Sequence, residues 1–99
     1  MRVSRDEVTI VIPTLNEERA VGKVLDELLS LGFESDRILV VDGHSTDNTV
    51  KEALKRGVKV IEQHGKGKAG AIKTAVEQVR TPYMLVMDGD YTYDPRDID

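Results

Sequence analysis

Two carboxylates, Asp88 and Asp90, flank a glycine straight after the apolar run 83–87. In extended or tightly turned backbone, side chains at i and i+2 can point to the same side, and Gly89 frees the turn between them. Such a pair can hold Mg²⁺ or Mn²⁺ while phosphate oxygens and water complete an octahedron. Asp-Gly is also common turn chemistry, so an acidic turn is the plainer reading of the pair by itself. Asp42 is another acid at the end of an apolar run, followed by Gly43. A carboxylate there could accept hydrogen bonds from a base N–H or a ribose hydroxyl, or could simply end its strand. Ser45, Thr46 and Asp47 read as N-cap side chains for the helix that follows.

Gly65-Lys66-Gly67-Lys68-Ala69-Gly70 matches GxGxxG, and Asp88 lies 18 residues beyond Gly70. Taken alone, this satisfies a dinucleotide-binding fingerprint built on Gly65, Gly67, Gly70 and Asp88, with NAD as ligand. Against it, the preceding segment is short and half polar, and two further strand–helix units come first. Lys66 and Lys68 also suggest phosphate contact through side-chain charge. Proximity to phosphate is common to both readings. No Gly-Lys-Ser or Gly-Lys-Thr stands at Walker A spacing. His44 and His64 both follow strand-like runs, which allows a His-plus-Asp metal site, although surface loop histidines are commoner. Lys51, Lys55, Arg56 and Lys59 read as a solvated face around a helix. Tyr91, Thr92 and Tyr93 could line a sugar pocket or simply pack.

These residues need elements to position them. Runs rich in Val, Ile and Leu at 8–13, 37–42, 58–61 and 83–87 read as strands. Helical spacing covers 17–31, with Gly32 as a stop, and 45–56, with Gly57 after its end. Ile72, Ala75, Val76 and Val79 mark a third helix, closed by Thr81-Pro82. Strand–helix alternation of this kind implies an α/β fold with a Rossmann-like parallel sheet of about four strands, because parallel neighbours need crossovers. Ligands of such sheets bind beyond the carboxyl ends of the strands. The segments after the four strands, beginning at Thr14, Asp42, Gln63 and Asp88, should therefore lie along one edge. Pro95 to Asp99 resembles the first turn of another helix, so the 99 residues are expected to be one domain, 1–99, that is part of a larger fold.

Composition excludes several alternatives. Fourteen Lys and Arg stand against 18 Asp and Glu, a net charge of -4, so no general affinity for nucleic acid or anionic membrane is expected. With no Cys, disulfide scaffolds, Cys-ligated zinc, iron–sulfur clusters and thiol catalysis are excluded. No apolar run approaches the ~20 residues of a membrane helix, and no signal peptide is apparent at the start, which leads to the expectation of a cytoplasmic domain.

Four segments in order carry a resemblance. Val11-Ile12-Pro13-Thr14-Leu15-Asn16-Glu17, Val41-Asp42-Gly43-His44-Ser45-Thr46-Asp47, Gly65-Lys66-Gly67-Lys68-Ala69 and Met87-Asp88-Gly89-Asp90 resemble the ordered motifs of family 2 glycosyltransferases, especially the dolichyl- or polyprenyl-phosphate mannosyl- and glucosyltransferases. The resemblance implies the N-terminal half of a GT-A fold that binds a UDP- or GDP-hexose. It implies that Pro13, Thr14, Asn16 and Glu17 border the nucleotide, that Asp42 contacts the base, and that Lys66 and Lys68 lie near base and diphosphate. It also implies that Asp88 and Asp90 bind ribose and a divalent metal, Mg²⁺ or Mn²⁺, with Asp90 bridging to the metal. Many members carry a second Asp where this chain has Gly43. A polyprenyl phosphate, lipid or glycan would be the acceptor, and its site and any general base would lie beyond Asp90. The isolated chain is then expected to be inactive in transfer and to self-associate through surface that the rest of the fold would cover. Two readings compete: an NAD-binding module of an oxidoreductase, and a non-catalytic α/β interaction domain.

Overall fold

Four parallel strands form a single sheet in the computed structural model, which describes residues 4–87. They are β1 (Val8–Thr14), β2 (Ile38–Asp42), β3 (Lys59–Glu62) and β4 (Tyr83–Val86), in the order β3-β2-β1-β4. Helices α1 (Glu18–Ser30), α2 (Thr49–Lys55) and α3 (Gly67–Gln78) join successive strands. The α/β expectation holds, and the strand positions agree to within a residue or so. The strand order is new information: β1 is central, and the chain crosses from the β3 edge to the β4 edge through α3.

The central strands read as unbroken apolar runs because both faces are covered. Ile10, Ile12, Ile38 and Val40 pack with Val21, Val24, Leu25 and Leu28 of α1 and Ala53 of α2. Their neighbours Val11, Leu39 and Val41 point the other way, onto Ala71 and Ala75 of α3. This alternation is the period of a pleated strand. Each large side chain buried in this way contributes roughly 1.5–3 kcal/mol. The α3 face is built from small residues, so its apolar signal in sequence misleads: Val76 is 60% exposed, while Ala71, Thr74 and Ala75 make the contact.

Two local expectations change. The second helix starts at Thr49, with no side-chain cap from Asn48. Of the expected caps, Asp47 Oδ1 accepts from the Thr49 N–H at 2.9 Å, while Ser45 and Thr46 bond elsewhere. Asp47 Oδ2 accepts from the backbone N–H of Glu18 at 3.2 Å, the first residue of α1. Thr49 Oγ1 accepts from the N–H of Glu17 at 2.7 Å and donates to Asp47 Oδ1. Thus the start of α1, where backbone donors have no helical partner, is capped by the loop before α2.

The second change concerns Arg56, which is not part of a solvated face. Its guanidinium donates to both carboxylate oxygens of Asp26 on α1, at 3.0 and 3.2 Å. It also donates to the Glu52 carboxylate at 3.0 Å and the Glu52 carbonyl at 2.9 Å. The seat for this clamp is Gly22, buried in mid-helix, where a Cβ would come within 2.6 Å of Arg56 Nη2.

Removing the Thr49 hydroxyl removes the acceptor of a helix-start N–H, so Thr49→Val is expected to lower unfolding free energy by about 1–3 kcal/mol in urea titrations. The Asp47 carboxyl is held below the ordinary carboxylate range, chiefly by the Thr49 hydroxyl and further by the N–H groups of Thr49 and Glu18. A carboxyl depressed on folding contributes stability above its unfolded pKa and loses it as pH falls through its folded one. Thermal midpoints should therefore drop as pH falls below the ordinary Asp value, and Asp47→Asn should show a shallower drop.

Candidate functional site

Register brings three strand ends level. Thr14 lies opposite Asp42, and Asp42 opposite Glu62. The chain leaves the sheet there, still stitched: the Gly43 N–H donates to the Thr14 carbonyl at 2.8 Å, and the Gln63 N–H to the Asp42 carbonyl at 2.9 Å. Three loops consequently start at one edge, as expected from sequence.

The loops after β1 and β2 are tied into one unit. Asp42 is 2% exposed, and its carboxylate accepts from Thr14 Oγ1 at 2.7 Å, the Ser45 N–H at 2.8 Å and Ser45 Oγ at 2.7 Å. Ser45 Oγ in turn accepts from the Asn16 N–H at 2.9 Å. Asn16 takes a φ of 52°, a region that asparagine tolerates, and its Oδ1 accepts from the Thr46 N–H at 2.8 Å. The Asn16 side-chain oxygen and backbone N–H and the Asp42 carboxylate therefore join the loops. Neither residue lines the cavity described next.

Between the three loops lies a cavity of about 390 Å³. Pro13, Thr14, Leu15 and Glu17 form its β1 side, and Gly43 and His44 its β2 side. The third side is Gln63 with Gly65, Lys66, Gly67 and Lys68, and Ala71 of α3 lines it as well. Five of the residues singled out from sequence, Pro13, Thr14, Glu17, Lys66 and Lys68, are thus brought to one wall or another of the same space.

The β3–α3 loop has a cation-rich, glycine-shaped geometry. Gly65 and Gly67 adopt left-handed φ values of 71° and 69°, with Lys66 extended between them. Lys66 supplies no side-chain cap to α3. An anion in the cavity would meet lysine charge together with the positive end of a 12-residue helix. Gly70 serves close approach instead. A Cβ there would sit 2.6 Å from the His64 carbonyl oxygen, so its lack of a side chain lets α3 approach its own loop. The run also follows β3, a half-exposed edge strand, not the central first strand that a dinucleotide fingerprint uses.

Sequence reasoning placed Gln63 at this edge only as the start of the third loop, with no role of its own, and weighed His44 only as a partner in a His-plus-Asp metal site. His44 has a φ of 66°, unusual for a side chain with a Cβ, and lies exposed at the cavity wall. The expected alternative of a His-plus-Asp metal site is not formed by the described residues, among which no group of three or more His, Cys, Asp or Glu converges. His64 instead lies on the surface, 3.7 Å from Glu77 Oε1. Asp88, Asp90, Tyr91, Thr92 and Tyr93, and the helix turn expected at 95–99, lie outside the described residues. The strand that leads to them is in place, with the Met87 N–H donating to the Val11 carbonyl at 2.9 Å. No helix among the described residues is long and apolar enough to cross a membrane.

Comparison with known proteins agrees with this fold. Glycosyltransferase AglJ of Haloferax volcanii is 41% identical over 93 residues, which cover 93% of this chain and 30% of AglJ. A dolichyl-phosphate hexose transferase of the same organism is 36% identical over 88 residues, 89% of this chain and 38% of that protein. The mannosyltransferase PcManGT from Pyrobaculum calidifontis, solved with GDP-Man and Mn²⁺, superposes with a TM-score of 0.75 at 26% identity, over 85% of this chain and 27% of that one. The chain therefore spans well under half the length of each of these proteins, and its sheet and helices have the GT-A arrangement. The profile of Glycosyl transferase family 2 matches residues 9–99, from the start of β1 through all four sequence motifs, and the chain belongs to that family.

Proposed function

We propose that this chain is the nucleotide-diphosphate-sugar-binding portion of a metal-dependent, inverting hexosyltransferase. The observation that carries this reading is the cavity at the carboxyl edge of the sheet, walled on one side by Lys66 and Lys68 and on the other by Pro13, Thr14 and Glu17. The lysines take the diphosphate, and the β1 wall borders the nucleoside. Asn16 and Asp42 act on the nucleotide mainly by holding those walls, since Asp42 is buried and hydrogen-bonded to Thr14 and Ser45. Asp88 and Asp90 are the proposed ligands of a divalent metal, Mg²⁺ or Mn²⁺, with Asp88 also near the ribose. The Mn²⁺ and GDP-Man bound by PcManGT support a nucleoside diphosphate hexose as donor; UDP- and GDP-linked hexoses are proposed alike.

Glycosyl transfer builds negative charge on the departing diphosphate. Lysines aimed at that charge stabilise it in place, and a bound divalent metal would add Lewis-acid stabilisation. The acceptor oxygen must also be held in line behind the anomeric carbon, a positioning effect of roughly 7–11 kcal/mol in favourable cases. A polyprenyl phosphate fits the likeness to the dolichyl-phosphate hexose transferase, with a lipid or glycan as the wider class.

Calorimetric titration of the chain with UDP, GDP and NAD, with and without Mn²⁺, tests the reading. The expected result is Mn²⁺-dependent binding of UDP or GDP that is lost in Asp90→Asn. Lys66→Ala and Lys68→Ala should each weaken binding several-fold and flatten its salt dependence. Metal-independent binding of NAD, or no binding of either diphosphate at millimolar concentration, would overturn it.

A further inference from the structure

We propose that Gln63 is a positioning residue that sets the lysine-bearing loop, and that Gly43 is a glycine so that the Gln63 side chain can lie against it. The loop needs such a device. Residues 64–69 are exposed, and left-handed Gly65 and Gly67 leave the backbone many alternatives when nothing fixes it. Gln63 itself is only 9% exposed. Its Nε2 donates to the Gly65 carbonyl at 3.3 Å and to the Gly67 carbonyl at 3.2 Å. Those two carbonyls flank Lys66 and immediately precede Lys68. One amide thus holds the backbone on both sides of the first cation and at the root of the second.

The slot around this amide is made by absent side chains. A Cβ on Gly43 would lie 3.1 Å from Gln63 Oε1 and 3.3 Å from the Thr14 carbonyl oxygen. A Cβ on Gly70 would lie 3.3 Å from Gln63 Nε2 and 2.6 Å from the His64 carbonyl oxygen. Gly43 does not need to be glycine for its φ, in contrast to Gly65 and Gly67. Its smallness therefore serves contact, and a side chain at 43 would act on the loop by pressing on Gln63. Glutamine is also chemically specific here. A carboxylate of the same shape can only accept when ionised, and would face two carbonyl oxygens with no proton to give. A residue at the end of β2 and one at the end of β3 are in this way coupled to where Lys66 and Lys68 stand.

The ligand in this inference rests on the nucleotide-sugar reading above; the loop geometry does not. The test uses the full chain with Gln63→Met, Gly43→Ala and the double variant, and has two readouts. Hydrogen exchange in nucleotide-free protein should speed up in each variant at the His64 and Gly70 amides, which donate to Thr74 Oγ1 and the Lys66 carbonyl, while the β1 and β2 amides stay protected. The affinity for whichever of UDP or GDP the wild type binds should fall about tenfold in Gln63→Met, the scale of two hydrogen bonds lost. Affinity for the corresponding nucleoside should stay within about twofold. Gly43→Ala should fall in the same direction, and the double variant should be no weaker than the weaker single one, because both act through the same contact. Unchanged exchange at His64 and Gly70, equal loss for nucleoside and diphosphate, or additive losses would overturn the proposal. Should Gln63→Met fail to fold, Gly43→Ala alone decides through the same exchange and affinity measurements. A wild type that binds neither diphosphate sinks the functional reading, while the exchange data still judge the role of Gln63.

Discussion

Asp42 ends a strand that is buried on both faces, and an ionised carboxylate in such a place is costly unless donors meet it. Thr14, Ser45 Oγ and the Ser45 N–H are those donors. Satisfying this one group fixes the end of β1 against the end of β2 and folds the loop after β2 back on itself. Ser45 then takes the Asn16 N–H, Thr46 donates to Asn16, and Asp47 with Thr49 reaches the first N–H groups of α1. The two loops become one wall because bonds within the second loop and bonds across to the first share the same groups, Asp42, Ser45, Asp47 and Thr49. Losing a donor to Asp42 would leave a buried polar group short of a partner, and with it the tie between the ends of β1 and β2 that sets two walls of the site.

The opposite wall follows different physics. The loop after β3 is open to solvent, carries its charge on flexible lysines and bends through two left-handed glycines. Its order comes from neutral hydrogen bonds: the Gln63 amide to two carbonyls, and Thr74 Oγ1, which accepts from the His64 N–H at 2.7 Å and donates to the Gly70 carbonyl at 2.8 Å. A stiff wall beside a cation-bearing loop suits a ligand with a planar base at one end and a charged diphosphate at the other. Shape can select the first, and charge with helix-end donors can hold the second.

Much of this was legible in the sequence. The apolar runs of β1 and β2 are continuous because both faces are buried, and Gly32 and Gly57 mark helix ends through left-handed φ values of 96° and 76°. The convergence of three loops follows from strand–helix alternation alone. Less legible was α3, whose buried face consists of Ala71, Thr74 and Ala75, residues with little hydropathic signal. Arg56 looked like solvated charge because, beside Glu52 on its own helix, its partner Asp26 and the space over Gly22 belong to another helix. Ser45, Thr46 and Asp47 looked like caps of the helix beside them because capping rules are local; Asp47 does accept from the Thr49 N–H, but the other partners of the three, at Asn16 and Glu18, are about 30 residues away.

Residue types and their order determined the α/β class, the polar edge and the motifs that place the chain in its family, because those depend on periodicity and on chemistry carried by the side chains themselves. Only the tertiary structure decided the strand order, the seat of Arg56 over Gly22, the burial of Asp42 and the slot that holds Gln63. Each of these is a contact between segments far apart in the chain, and such contacts depend on distances that sequence spacing does not encode. That is also why Asp42 and Lys66, equally polar in sequence, have such different surroundings: one is buried among three donors, and the other lies exposed at the wall of the cavity.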